Sequence, residues 1–169
     1  MVIFLCGFMG CGKSTVGKEL AKLMGNKFID MDIYIETKEN MSIPEIFAQK
    51  GEPYFRQIEA ETVVELSKSN AIVGCGGGAM LNSTSAEIGR RSGVVIFLDV
   101  PFSTCYDRIK NDSNRPIVMN NSKEQLEQIF NGRRSIYQAN SSFKVDVDSN
   151  VSPFENARTI NSLVKLLVK

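Results

Sequence analysis

Residues 7–14 read Gly-Phe-Met-Gly-Cys-Gly-Lys-Ser and match the spacing G-x-x-x-x-G-K-S/T, in which each residue type has a physical task. The glycines let successive backbone N–H groups turn inward around phosphate oxygens, and a helix start directly behind them adds its positive dipole end. Lys13 reaches the β and γ phosphates as a point charge, and Ser14 offers a hydroxyl oxygen to Mg²⁺. Gly10, Cys11, Gly12, Lys13, Ser14 and Thr15 form the expected cradle for a nucleoside triphosphate, the alternative being a glycine-rich turn used for packing. Asp30 and Asp32 follow at the end of a short apolar run, where strand alternation puts both carboxylates on one side. One could hold the cation through water while the other hydrogen-bonds or deprotonates an attacking hydroxyl. A solvated strand end is the alternative. Arg56 and Arg133 lie on expected helices, where the default for an arginine is a surface ion pair.

Composition narrows the chemistry further. The 169 residues include no histidine, which removes Ser-His-Asp and Cys-His nucleophile systems, His zinc ligands and any imidazole base. A carboxylate is left as the base. Lys and Arg number 20 against 19 Asp and Glu, a net charge of +1, so no broad positive field exists for non-specific nucleic-acid binding. The four cysteines, Cys6, Cys11, Cys75 and Cys105, lack C-x-x-C spacing and follow no signal peptide, which reads as buried reduced thiols in the cytoplasm. No apolar run approaches the roughly 20 residues of a membrane span.

The length implies one domain, residues 1–169, and the hydrophobic pattern supplies its scaffold. Apolar runs at Val2–Cys6, Ala71–Gly74 and 94–100 read as buried strands, the latter two central and covered on both faces, and 28–31 and 143–147 read as further strands. Helical spacing appears at 13–23, stopped by Gly25 and Asn26, and at Ile43–Lys50, with Ser42 as N-cap and Pro44 in its first turn. Further helices are expected at 56–67, 103–109, 123–137 and 154–168. Alternating strands and helices imply an α/β class: a central parallel sheet of about five strands between helical layers. The polar stretch 110–122 reads as a mobile flap carrying Arg115. A triphosphate cradle alone does not choose among enzymes. No guanine-reading N-K-x-D occurs, and the chain is short for a motor or transport ATPase, which favours a small-molecule kinase.

The chain resembles the shikimate kinases over nearly its whole length. The resemblance rests on the glycine-rich loop with Thr15 and Gly17, on Phe-Ile-Asp-Met-Asp at 28–32, and on Gly51-Glu52-x-x-Phe55-Arg56-x-x-Glu59. Gly76-Gly77-Gly78-Ala79, Arg115-Pro116 and Arg133-x-x-x-Tyr137 complete it. It implies ATP-dependent phosphorylation of the shikimate 3-hydroxyl, one Mg²⁺ per subunit, and a monomer with no nucleic-acid or membrane partner. Arg56 and Arg133 would then clamp the substrate carboxylate, and Asp32 would accept from ring hydroxyls and act as the base. Asp30 would orient Mg²⁺ through water beside Ser14, with Gly77 and Gly78 close to substrate. Arg115 would join Lys13 and Asp32 in catalysis from a lid of about 110–122, and Arg108 would stack on adenine. The segment of about 32–60 would bind substrate.

Three features stand apart. Residues 147–152 hold no arginine for a second adenine contact. Cys11, near Lys13 and a helix N-terminus, is expected to favour the thiolate, so that its modification blocks ATP binding. Asp99 ends an apolar strand and is a rival for the Mg²⁺ role. A gluconate or nucleoside monophosphate kinase and a non-catalytic nucleotide-binding relative are the competing readings.

Overall fold

Val2–Cys6 is apolar and buried at every position because it is the middle strand of the sheet. A computed structural model describes residues 1–113 and 115–167. In chain order it contains β1 Val2–Cys6, α1 Lys13–Met24, β2 Lys27–Asp30, α2 Met31–Glu39, α3 Ile43–Lys50, α4 Glu52–Leu66 and β3 Ala71–Gly74. A 3₁₀ turn at Ala79–Leu81 leads to α5 Ser83–Ser92, β4 Gly93–Asp99, α6 Phe102–Ile109 and α7 Pro116–Met119, then α8 Lys123–Asn140, β5 Phe143–Asp146 and α9 Pro153–Leu167. The five strands are all parallel in the order β2-β3-β1-β4-β5.

The period of two along each strand sorts the core into two layers. Ile3 and Leu5 of β1, with Ile96 and Leu98 of β4, face Val16 and Leu20 of α1, Cys105 of α6 and Ile160 of α9. Val2, Phe4 and Cys6, with Val95 and Phe97, face the other way onto Met31, Ile46, Val63 and Ala86 of α2 to α5. Helix α8 contributes Leu126 and Phe130 to the first layer and Tyr137 to the second. The chain leaves β1 for β2 and β3 on one side and continues to β4 and β5 on the other, so the order reverses beside β1. Ligand crevices in such sheets open at that point, beyond the carboxyl strand ends.

Local chemistry explains most boundaries. Gly25 closes α1 in the left-handed region, φ 66°, with Asn26 N donating to Ala21 O at 2.9 Å. Ser42 and Glu45 form a reciprocal capping box at the start of α3, with Pro44 in its first turn. Helix α4 begins at Glu52, not near Arg56, because Pro53 suits a first turn that opens on Gly51 at φ 82°. Three helices have no counterpart in the apolar spacing: α5 is mostly polar, α2 starts directly after β2 ends, and α7 is a short piece within the stretch read as a flap. The stretch 110–122 contains α7, whose Ile117 and Val118 pack against the first core layer. Asn114 of that stretch, and Val168 at the expected end of the last helix, lie outside the described residues. Among the described residues no helix is long and apolar enough to cross a membrane.

Candidate active site

Helix α1 begins without a side-chain cap: its N-cap is Gly12 at φ 93°, a conformation that disfavours any residue with a Cβ. The first N–H groups of α1 therefore keep donor capacity for a ligand anion. Lys13 bends over the loop, donating to Gly7 O at 2.8 Å and Phe8 O at 3.1 Å. Arg108 of α6 braces the loop from outside by a 2.8 Å bond to Gly10 O. Residues 9–16 line a cavity of about 490 Å³ together with Asp30, Asp32, Gly77, Arg108 and Arg115. Val147, Asp148, Ser149 and Val151 complete the wall, where Asp148 is the charged side chain and no arginine stands.

The two aspartates do not share a strand face. Asp30 ends β2 and is the N-cap of α2, its Oδ1 accepting from Asp32 N at 3.1 Å and Ile33 N at 3.3 Å. Asp32 lies in the first helical turn, so strand alternation is not what brings the pair together. The cap leaves Asp30 Oδ2 to accept from the Ser14 hydroxyl at 3.0 Å, joining β2 to the start of α1. Asp32 presses on the glycine turn after β3, where a Cβ at Gly76 would stand 2.5 Å from its Oδ1. Burial, reinforced by the Asp30 charge, raises the Asp32 pKa above the usual range, with Lys13 and Arg115 opposing.

A second cavity of about 580 Å³ lies beside the first and is walled by Arg56, Glu59, Gly78 and Arg133, with Phe47, Phe55 and Ile117 supplying apolar surface. Met9, Asp32, Gly77 and Arg115 line both cavities. Arg56 donates to Glu59 Oε1 at 2.8 Å and to Glu52 Oε1 at 3.3 Å, and a Cβ at Gly78 would collide with its guanidinium. Arg133 NH1 stands 3.4 Å from the Cβ position of Gly77, so the two guanidinium groups meet at adjacent glycines. Glu59, 4% exposed, has its pKa raised by burial, opposed by Arg56. The default surface pairing thus fails for Arg56 in one respect: one of its partners is buried. Arg115 precedes α7 and donates to Asp112 Oδ2 at 2.8 Å.

The structure gathers Gly10, Cys11, Gly12, Lys13, Ser14, Thr15, Asp30, Arg108 and Arg115 at the first cavity, and Asp32, Arg56, Gly77, Gly78, Arg133 and Arg115 at the second. Asp99 is elsewhere. Arg134 Nε and NH2 grip its two oxygens at 2.7–3.1 Å and Lys144 adds a contact at 3.4 Å. Burial pulls its pKa up, but these cations override it and hold the carboxylate low. Asp99 therefore serves an ion-pair cluster, not a cation site at the loop. Cys11 lies beneath the loop at 1% exposure, which removes the access that its expected reactivity requires. Glu59, Phe47 and Ile117 were assigned no role from sequence; the Arg56-x-x-Glu59 spacing was the available signal, since it sets the pair one helical turn apart.

A family model described as shikimate kinase matches residues 9–165. The chain belongs to the shikimate kinase family. It is accordingly a phosphotransferase that uses ATP. A shikimate kinase of Sulfurihydrogenibium is 42% identical over 137 residues, 80% of this chain and 82% of that protein. The solved shikimate kinase from Acinetobacter baumannii in complex with shikimate is 33% identical, with a TM-score of 0.90 over 96% of this chain and 92% of that one. A gluconokinase from Sinorhizobium meliloti matches at TM-score 0.54 and 18% identity over 99% and 95% of the two chains, a likeness of fold alone. The kinase thus shares its overall fold with that protein, whereas its sequence groups with the shikimate kinases.

Proposed function

We propose that the kinase transfers the γ-phosphoryl group of ATP to the 3-hydroxyl of shikimate, with the two cavities as donor and acceptor sites. The observation that carries this reading is their common wall of Met9, Asp32, Gly77 and Arg115, which sets a carboxylate and a guanidinium where nucleotide and acceptor must meet. Shikimate is a small carboxylate bearing three hydroxyls. Arg56 and Arg133 suit the carboxylate through charge-assisted, bidentate-capable hydrogen bonds, and Asp32 accepts from the ring hydroxyls. Its raised pKa makes Asp32 the better proton acceptor for the attacking hydroxyl.

Phosphoryl transfer asks for positioning and charge neutralisation more than for covalent help. Lys13 has its ammonium on loop carbonyls and needs only to swing onto the β and γ phosphates. The stretch 110–122 acts as the lid, and Arg115 on it adds a second cation and excludes water on closure. Residues 32–60 form the substrate-binding part, and Arg108 meets the adenine.

Ser14 and Asp30 are hard oxygen donors 3.0 Å apart at the start of α1, and among the described residues no cluster of three acidic or sulfur groups competes with them. That donor set fits Mg²⁺, which prefers a few protein oxygens and keeps waters and substrate phosphates as its other ligands. One bound Mg²⁺ per subunit would supply neutralisation of the triphosphate, with Ser14 as a direct ligand and Asp30 acting through water. The kinase works in this reading as a cytoplasmic monomer.

Calorimetric titration of shikimate and of ADP into wild type and Arg133→Ala tests the assignment. The variant is expected to weaken shikimate by about tenfold or more, the scale of one charge-assisted contact, while ADP affinity stays within about twofold. Equal losses for both ligands would contradict a separate acceptor site.

A further inference from the structure

The glycine turn between the cavities contains no side chain that could anchor it, and among the described residues the side-chain hydrogen bonds to the carbonyls of residues 76–80 come from one helix face. Three successive glycines have the widest backbone freedom of any tripeptide, and Asp32 and Arg56 press too close to Gly76 and Gly78 for larger residues. Helix α8 supplies what the turn lacks. The Tyr137 hydroxyl donates to Gly77 O, and Asn140 Nδ2 donates to Met80 O at 2.8 Å. One turn earlier on the same face is Arg133, whose guanidinium lies against Gly77 and interacts with the Tyr137 hydroxyl. Tyr137 is itself 1% exposed and its ring is tilted over Phe97 with centroids 5.5 Å apart, so the phenol has little freedom to leave. Burial also pushes its pKa up, keeping the hydroxyl protonated as a donor.

We infer that Tyr137 is a positioning residue for the acceptor site: its hydroxyl ties the Gly77 peptide to helix α8 and so sets the spacing between the glycine turn and Arg133. The inference rests on the acceptor assignment made above. Tyr137 touches neither cavity, and its effect passes through Gly77 and Arg133. Asn140 holds the far end of the turn, which makes Tyr137 the clasp at the substrate end.

Tyr137→Phe keeps the ring and its packing and removes one oxygen, leaving Gly77 O without this partner. The test is steady-state kinetics of wild type and Tyr137→Phe in both substrates, with Tyr106→Phe as a control that loses a tyrosine hydroxyl on α6 while keeping the ring against Phe102, outside both cavities. The expected result is a KM for shikimate raised about tenfold, the size of one lost buried hydrogen bond, with kcat and the KM for ATP within about twofold. Calorimetry with shikimate alone should show the same loss of affinity, and Tyr106→Phe should move neither KM. If Tyr137→Phe keeps the wild-type KM for shikimate, or loses affinity for ATP equally, the inference is overturned while the acceptor assignment stands. Wild type that neither binds nor phosphorylates shikimate overturns both.

Discussion

Glu59, almost wholly buried in α4, accepts a 2.8 Å hydrogen bond from Arg56 one turn earlier on the same helix. The pair fixes where the guanidinium points, since the other carboxylate on Arg56, Glu52, is exposed and bonds at 3.3 Å. Breaking a buried pair from one side leaves the other charge unsupported. Glu59→Ala is expected to raise the KM for shikimate by about 10- to 100-fold, corresponding to a loss of roughly 1–3 kcal/mol. Steady-state kinetics at saturating ATP check this, and an unchanged KM would show that Arg56 is held by other means.

Asp32 carries a stability cost beside its proposed role as base. Its folded-state pKa lies above the ordinary value of 3.8, chiefly through burial and then through the Asp30 charge. The folded chain therefore binds this proton more tightly than the unfolded chain does, so charging Asp32 lowers stability as pH rises from 3.8 through the raised value. Asp32→Asn removes that charge and should raise the Tm of the unliganded kinase at neutral pH, by about 2–4 °C per kcal/mol relieved. The gain should shrink as the pH falls toward 3.8. The same variant should lose about 10²- to 10⁴-fold in kcat, the usual scale for a missing general base, and still bind ADP. Thermal melts across pH, paired with turnover, measure both halves.

In the proposed reading Arg115 brings the charge of the lid to the chemistry, and in this structure it donates to Asp112. Arg115→Ala is expected to lower kcat by about 10³-fold, as for arginines that stabilise phosphoryl transfer, while the KM for shikimate changes far less. Turnover assays on the variant read this directly. A fall in shikimate affinity with kcat intact would reassign Arg115 to acceptor binding.

All four thiols are buried, and burial pushes those of Cys6, Cys75 and Cys105 upward, Cys105 to about 12. Titration with a thiol reagent should accordingly modify almost none of them in the native kinase at neutral pH and all four after denaturation. Rapid native labelling of Cys11 that abolishes ATP binding would instead support an exposed reactive thiol in the loop.

The sequence displayed the sheet well because apolar runs such as Val2–Cys6 are buried on both faces and tolerate nothing else. Motifs bounded by glycine were equally plain: the loop at 7–14 and the turn at 76–78 need glycine for conformation or close approach, and that need is written in residue type. Less visible were α2 and α5. Asp30 serves at once as the last residue of β2 and the N-cap of α2, so a change from strand to helix occurs with no turn residue to mark it. Helix α5 buries only Ser85, Ala86 and Gly89, small residues that carry little periodic signal. The partnership of Tyr137 with Gly77 spans 60 residues, and no local pattern reports a contact of that range.

The central claim is that the triphosphate cavity and the two-arginine cavity serve one transfer reaction. The most direct measurement incubates the kinase with Mg-ATP and shikimate, gluconate or AMP in turn, follows ADP release, and identifies the phosphorylated product by ³¹P spectroscopy. The account requires ADP to appear in step with a single shikimate phosphate ester at the 3-position, with negligible release when shikimate is omitted or replaced. Comparable turnover on gluconate or AMP, or ADP release independent of any acceptor, would contradict it.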